Sequence, residues 1–105
     1  MWFGASLLYR SSEPLTEYGT HLFEERIVIL AAHDETEARK KANDRGALGE
    51  EQYINMEGAL VAWTFERTLE VKAILEDELG DGVEVFQRFL REDEVRSLLG
   101  SIAKP

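Results

Sequence analysis

Hydrophobic residues recur at period two in several short runs of the chain and at helical spacing in two others. Phe3, Ala5, Leu7 and Tyr9 share one parity, and Gly4, Ser6 and Arg10 share the other. Alternate side chains of a strand point to opposite faces, so this predicts a strand from about Trp2 to Tyr9. Arg10 to His21 contains Ser, Pro, Gly and Thr and reads as a loop, of a length that sometimes carries function. Phe23 to Ala32 is apolar on both parities, the pattern of a central strand covered on both sides.

Asp34 then has the character of a helix N-cap, and Glu37 three residues later completes a capping box. Ala38 and Ala42 lie one turn apart. Glu35–Arg39 and Glu37–Lys41 are i,i+4 pairs in the favourable order. With Gly46 as a C-terminal stop, the prediction is a helix over Asp34 to Arg45. Tyr53 to Met56 reads as a short strand. Asn55, Glu57 and Gly58 supply turn chemistry, and Ala59, Val61, Trp63 and Phe65 alternate beyond it, so the unit is a hairpin. Leu69, Val71, Ala73 and Leu75 alternate again; Arg67 to Leu75 either continues that strand through a bulge or turns back against it. Glu76 to Gly82 is an acidic, glycine-containing loop, and Val83 to Leu90 returns to strand character. The tail from Glu92 to about 102 reads as a helix with Val95, Leu98, Leu99 and Ile102 on one stripe and acidic residues in its first turn, where the helix dipole favours them.

The expected order is β-β-α-β-β-β-α in a single domain spanning residues 1–105. The fold class is α+β, a curved and mostly antiparallel sheet of five or six strands with two helices packed largely on one face. The tail helix could bind a partner through its stripe; the simpler expectation is that the stripe packs on that sheet, with a homodimer contact between the two.

Composition narrows the chemistry. The 105 residues carry 12 Lys and Arg against 21 Asp and Glu, a net charge of −9. Phosphate binding needs clustered cations to displace counterions, so nucleic acid is an unfavourable partner, and anionic membranes are disfavoured for the same reason. A basic protein partner would instead be attracted. There are no cysteines, which excludes disulfides, thiolate metal sites and cysteine nucleophiles. The opening MWFGASLLYRSSEP lacks the basic start and the long apolar run of a signal peptide. No apolar stretch approaches the roughly 20 residues of a membrane span. The expected location is the cytoplasm.

Catalytic material is sparse. His21 and His33 are the two histidines, and neither sits in a base–nucleophile arrangement. Two histidines with scattered carboxylates have no zinc-ligand spacing. Carboxylate pairs such as Glu24/Glu25 and Glu50/Glu51 are too common here to mark a hydrolase site, whose pair needs a defined separation across a cleft. An EF-hand loop starting at Asp77 would place Asp81 and Gly82 at its fifth and sixth positions, but Leu79 at the third and Arg88 at the twelfth break the pattern. No glycine-rich phosphate cradle opens a helix. No cofactor and no metal are expected, and the chain is not expected to be an enzyme.

The segment Tyr53-x-Asn55-x-x-Gly58-x-x-Val61-x-Trp63-x-Phe65 and the later Asp81-Gly82-x-Glu84-Val85-Phe86-x-Arg88 resemble the signature of the bacterial domain-of-unknown-function 4288 family. The opening Trp2-Phe3-Gly4-Ala5 and the unit from Glu25 to Ala42 match its style. The resemblance runs from Trp2 to about Phe89 and leaves the tail helix outside. One departure is Phe86, where the family pattern has tyrosine, so this chain lacks that hydroxyl. The resemblance implies a fold and carries no catalytic residue, cofactor or partner.

From the residues themselves the leading expectation is a non-catalytic protein-interaction module, with immunity-type masking of a basic partner as its concrete form. Its contact surface would be the acidic loop, Glu76, Asp77, Glu78, Asp81 and Glu84, together with Arg10 to His21. The alternative is a small-molecule-binding domain in which Trp2, Tyr9, Trp63 and Phe86 enclose an apolar ligand. A carboxylate-based hydrolase ranks last.

Overall fold

The central strand of the sheet is made by the first alternating run. In the computed structural model, which describes the backbone of residues 1–15 and 20–103 and the side chains of 1–13 and 21–100, β1 spans Trp2–Leu15 and β2 Thr20–Ala31. Helix α1 spans Glu35–Leu48, β3 Glu51–Ile54, β4 Leu60–Ile74 and α2 Glu92–Ala103. The sheet order is β2-β1-β4-β3, with every neighbouring pair antiparallel. The α+β class holds, but the described residues form four strands rather than five or six.

The core follows from the parity of β1. Phe3, Ala5, Leu7 and Tyr9 are each at most 3% exposed, and they pack with Ala38 and Ala42 of α1 and Val71 of β4. Small residues on the helix let it lie close to the sheet, so the large side chains of the strand fill the space between the two layers. Asp34 caps α1 by accepting the Glu37 backbone N–H at 2.8 Å, and the pairs Glu35–Arg39 and Glu37–Lys41 form at 3.7 and 3.6 Å. The helix does not stop at Gly46. That residue is buried inside α1, where a Cβ would run into the Phe65 ring, and the cap is Gly49. Gly46 therefore marks a close approach between helix and sheet instead of an end.

Other expectations are corrected. The segment after Arg10 is strand, since β1 continues to Leu15 and β2 begins at Thr20; residues 16–19 of the expected loop lie outside the described part. Pairing with β4 ends at Ser11↔Trp63 and the register with β2 shifts between Arg10 and Pro14. Pro14 thus sits where β1 has a neighbour on one side, the position in which a strand tolerates a missing N–H. Strand β2 lies at the sheet edge and not at its centre. Leu22, Phe23, Ile27 and Ile29 are 39–48% exposed, so its two-sided apolar pattern reports surface as well as core.

The open question at Arg67 resolves as one strand. β4 runs unbroken to Ile74 with register shifts at Ser6/Leu7 and Leu8/Tyr9 of β1. The first of these shifts leaves Leu69 unpaired and exposed beside buried Val71, and Leu75 is exposed beyond the end of the strand. Val83 to Leu90 is not a strand. It crosses the sheet face opposite α1, where the Val85 carbonyl oxygen lies against Gly4 of β1. The helices do not share a face either. No Cα of α2 comes within 8 Å of a strand or of α1 among the described residues. The radius of gyration, 16.3 Å, exceeds the roughly 13 Å of a compact chain this long.

Candidate functional site

On the α1 side, the polar groups are mutually satisfied. The Tyr9 hydroxyl, buried, donates to the Gly46 carbonyl oxygen at 2.8 Å, and the Tyr9 ring packs on Phe65 with centroids 5.5 Å apart. The Arg26 guanidinium lies over the Tyr9 ring at 3.8 Å. It donates to the Gly49 carbonyl oxygen at 3.0 Å and pairs with Glu24 and with Glu51. Burial, above all, pushes the Tyr9 pKa up, and the carboxylates of Glu50 and Glu24 act the same way against the opposing charge of Arg26. Desolvation pulls the Arg26 pKa down, but the hydrogen bond to Glu24 and its charge more than offset this and leave it raised. The cluster tethers the end of α1 to the sheet.

The opposite face is built differently. Gly4 has no side chain, and the Val85 carbonyl oxygen occupies the place where a Cβ would be. The 83–90 segment can therefore lie directly on β1. Beside it a cleft of about 310 Å³ opens, lined by Ser6, Glu25, Glu70, Phe86, Arg88 and Arg91 among others. Antiparallel register puts Ser6 between Ile27 of β2 and Glu70 of β4, with Glu25 two residues along β2. The Ser6 hydroxyl, 1% exposed, donates to Glu25 Oε2 at 2.6 Å, and Arg88 reaches Glu25 Oε1 at 3.3 Å. Arg91 pairs with Glu94 and Asp93, and its backbone N–H donates to Glu94 Oε1 at 2.9 Å, which starts α2 with the carboxylate half of a capping box.

The residues expected to form sites are distributed as follows. Glu76, Asp77, Glu78 and Asp81, on the connection between β4 and the crossing segment, and Glu84, within that segment, are all exposed. Trp2, Tyr9, Trp63 and Phe86 do not come together: each lines a different cleft. Tyr9 belongs to the core under α1, and the Trp63 indole N–H donates to the Tyr53 hydroxyl at 3.3 Å. His21 and His33 are exposed. Among the described residues no group of three or more His, Asp or Glu side chains converges to hold a metal ion, and no helix is long and apolar enough to cross a membrane. Sequence reasoning missed Ser6, Glu25, Glu70 and Arg88 as a group. The one available signal was polar Ser6 inside an otherwise apolar run.

The second feature that sequence reasoning placed wrongly is α2. Val95, Leu98 and Leu99 are 36%, 46% and 58% exposed; the Ile102 side chain lies outside the described part. The stripe is present, but the helix is packed neither on a strand nor on α1.

Comparison with curated proteins and with solved structures yields no match. The family model described as domain of unknown function (DUF4288) matches residues 2–87. That span takes in the whole sheet, α1 and the first half of the crossing segment, and it leaves out α2. The chain therefore belongs to the domain-of-unknown-function 4288 family.

Proposed function

We propose that the domain is a non-catalytic protein-interaction module that receives a basic partner, with α2 and the acidic loop as its contact elements. The observation that carries this reading is the isolated amphipathic helix. A 12-residue helix is marginal in water by itself, since helical stability in proteins comes mostly from packing of an apolar face. α2 has such a face, and among the described residues no Cα of it comes within 8 Å of a strand or of α1, so burial by a partner supplies what is missing. The five exposed carboxylates between β4 and α2 carry no ion pair within 4 Å among the described residues, which leaves their charge available for steering. Immunity-type masking of a basic protein is the concrete form we favour, acting by occlusion.

The test compares the full chain with a variant carrying Val95→Ser, Leu98→Gln and Leu99→Gln, both immobilised against host lysate. A basic protein held by the former, released by moderate salt and absent from the latter, supports the reading. With that partner purified, replacing Glu76, Asp77, Glu78, Asp81 and Glu84 by their amides should slow association and flatten its salt dependence. Identical capture profiles for the two proteins overturn the reading.

A further inference from the structure

The two edges of the sheet are built differently. β3 is four residues long and opens on Glu51, the short and charged kind of edge that does not template further pairing. β2 is twelve residues long and pairs with β1 without a break from Phe23 to Ala31. Its other side has no strand among the described residues. Among those residues the only backbone group of β2 that a side chain takes is the Ala31 carbonyl oxygen, which accepts from Lys41 Nζ at 2.6 Å. The strand has no Pro and no Lys, the residues that commonly guard an edge, and Leu22, Phe23, Ile27 and Ile29 are exposed along it. No Cα of α2 lies within 8 Å of β2 among the described residues. The helix therefore does not occupy the place of a next strand, which would be about 4.8 Å away.

We propose that β2 is the interface of a homodimer: two copies join edge to edge and antiparallel about a two-fold axis at Glu25, making one continuous sheet from the four strands of each copy. The order of side chains in β2 selects both the partner and the register. An axis normal to the sheet keeps each face common to the two copies, so it must pass through a residue. With the axis on Glu25, Phe23 of one copy faces Ile27 of the other on the face opposite α1. On the α1 face, Leu22 faces Val28 and Glu24 faces Arg26. Apolar meets apolar and charge meets opposite charge, the pairs that stabilise an antiparallel sheet. Arg26 keeps the Glu24 of its own copy, so four charges alternate in sign around the axis. Glu25 meets its own counterpart there, and each of these carboxylates brings Arg88 at 3.3 Å. Moving the axis by one residue destroys the match. On Glu24 it sets Glu24 against itself and Phe23 against Glu25; on Arg26 it sets Arg26 against itself and Ile27 against Glu25. A strand that matches itself in one register is what an interface with the same patch on both subunits requires, and this makes the occupant a second copy. The proposal does not depend on the reading of α2.

Sedimentation of the full chain from about 1 µM to about 1 mM should show a monomer–dimer equilibrium. Phe23→Glu with Ile27→Glu sets like charges opposite each other across the axis and should drive the chain to monomer. Phe23→Glu with Ile27→Lys sets opposite charges at the same places and should dimerise at least about tenfold more tightly than the first variant. Within one chain the two positions are about 13 Å apart, so the difference arises between copies. Both side chains are exposed, and the paired variants control for any effect on folding. The register is read by cross-linking, in a chain that has no cysteine of its own. A mixture of the Phe23→Cys and Ile27→Cys chains should give a disulfide-linked dimer on mild oxidation. Neither chain alone should, because equal positions of the two copies are offset by about 13 Å, beyond the reach of a disulfide. The variant Val95→Ser, Leu98→Gln and Leu99→Gln should keep the dimer. A monomer throughout the concentration range, or equal association of the two charge variants, overturns the proposal and leaves the interaction module standing. A dimer lost in the α2 variant, with no mixed cross-link, also overturns it and places self-association on the tail helix.

Discussion

The Tyr9 hydroxyl donates its hydrogen bond to the Gly46 carbonyl oxygen at 2.8 Å, across 37 positions of sequence, and so fastens the central strand to the last turns of α1. Removing the hydroxyl leaves that carbonyl without its side-chain donor in the core. Tyr9→Phe should cost about 1 kcal/mol at neutral pH, the ordinary net worth of such a bond. The same residue sets an alkaline limit. Because burial foremost raises its pKa in the folded state, the native chain keeps this proton where the unfolded chain, with an ordinary value of about 10, releases it. The resulting stabilisation is present below about pH 10 and is lost as pH rises through the folded value. Thermal melts from about pH 8 to about pH 11 should therefore fall more steeply for the wild type than for Tyr9→Phe; parallel curves would show that Tyr9 is not the group responsible.

What was legible in the sequence was local. The parity of Phe3, Ala5, Leu7 and Tyr9, the Asp34 cap and the Asn55 turn are decided within a few residues, and all form: Asn55 Oδ1 accepts from the backbone N–H groups of Glu57 and Ala59 at 3.0 and 2.9 Å. What was illegible depended on neighbours distant in the chain. The apolar run of β2 does not state that it lies at the edge. The strand-like composition of Val83 to Leu90 does not reveal that Gly4 has made room for the chain to cross a face. The cleft needed the register that sets Ser6 beside Glu70, with bulges no pattern announced.

Gly4 tests that crossing directly. A Cβ at this position would displace the Val85 carbonyl oxygen, and the backbone there cannot yield by a rotamer change. Gly4→Ala should cost about 1–3 kcal/mol, the usual range for overpacking. The more specific expectation is local: amide hydrogen exchange should accelerate across residues 83–90 while the β1–β4 ladder stays protected. Uniform loss of protection would mean that the segment is integral to the sheet.

Asp34 offers a second local test. Its side chain satisfies one of the free N–H groups at the start of α1. Asp34→Ala should destabilise by about 1 kcal/mol, and Asp34→Asn or Asp34→Ser should restore most of it, since each supplies the same acceptor. Denaturant melts with unchanged m-values would confirm that the loss is in the native state. Equal damage from all three replacements would point to the charge rather than the cap.

The contrast between Leu7 and Leu99 bears most directly on what the tail helix is for. Both are apolar, but Leu7 is 1% exposed and Leu99 58%. Leu7→Ala should cost about 2–5 kcal/mol, through lost transfer energy and the cavity left under α1. Leu99→Ala should change stability by no more than about 0.5 kcal/mol, as surface replacements do. If Leu99→Ala instead proved as costly as a core truncation, the stripe would be packed within the chain or between two copies of it. Melts repeated over a wide range of protein concentration separate those cases, because a stripe buried between copies makes the melting temperature depend on concentration. A small, concentration-independent effect leaves an apolar face that folding does not use, which is the property an interaction surface requires.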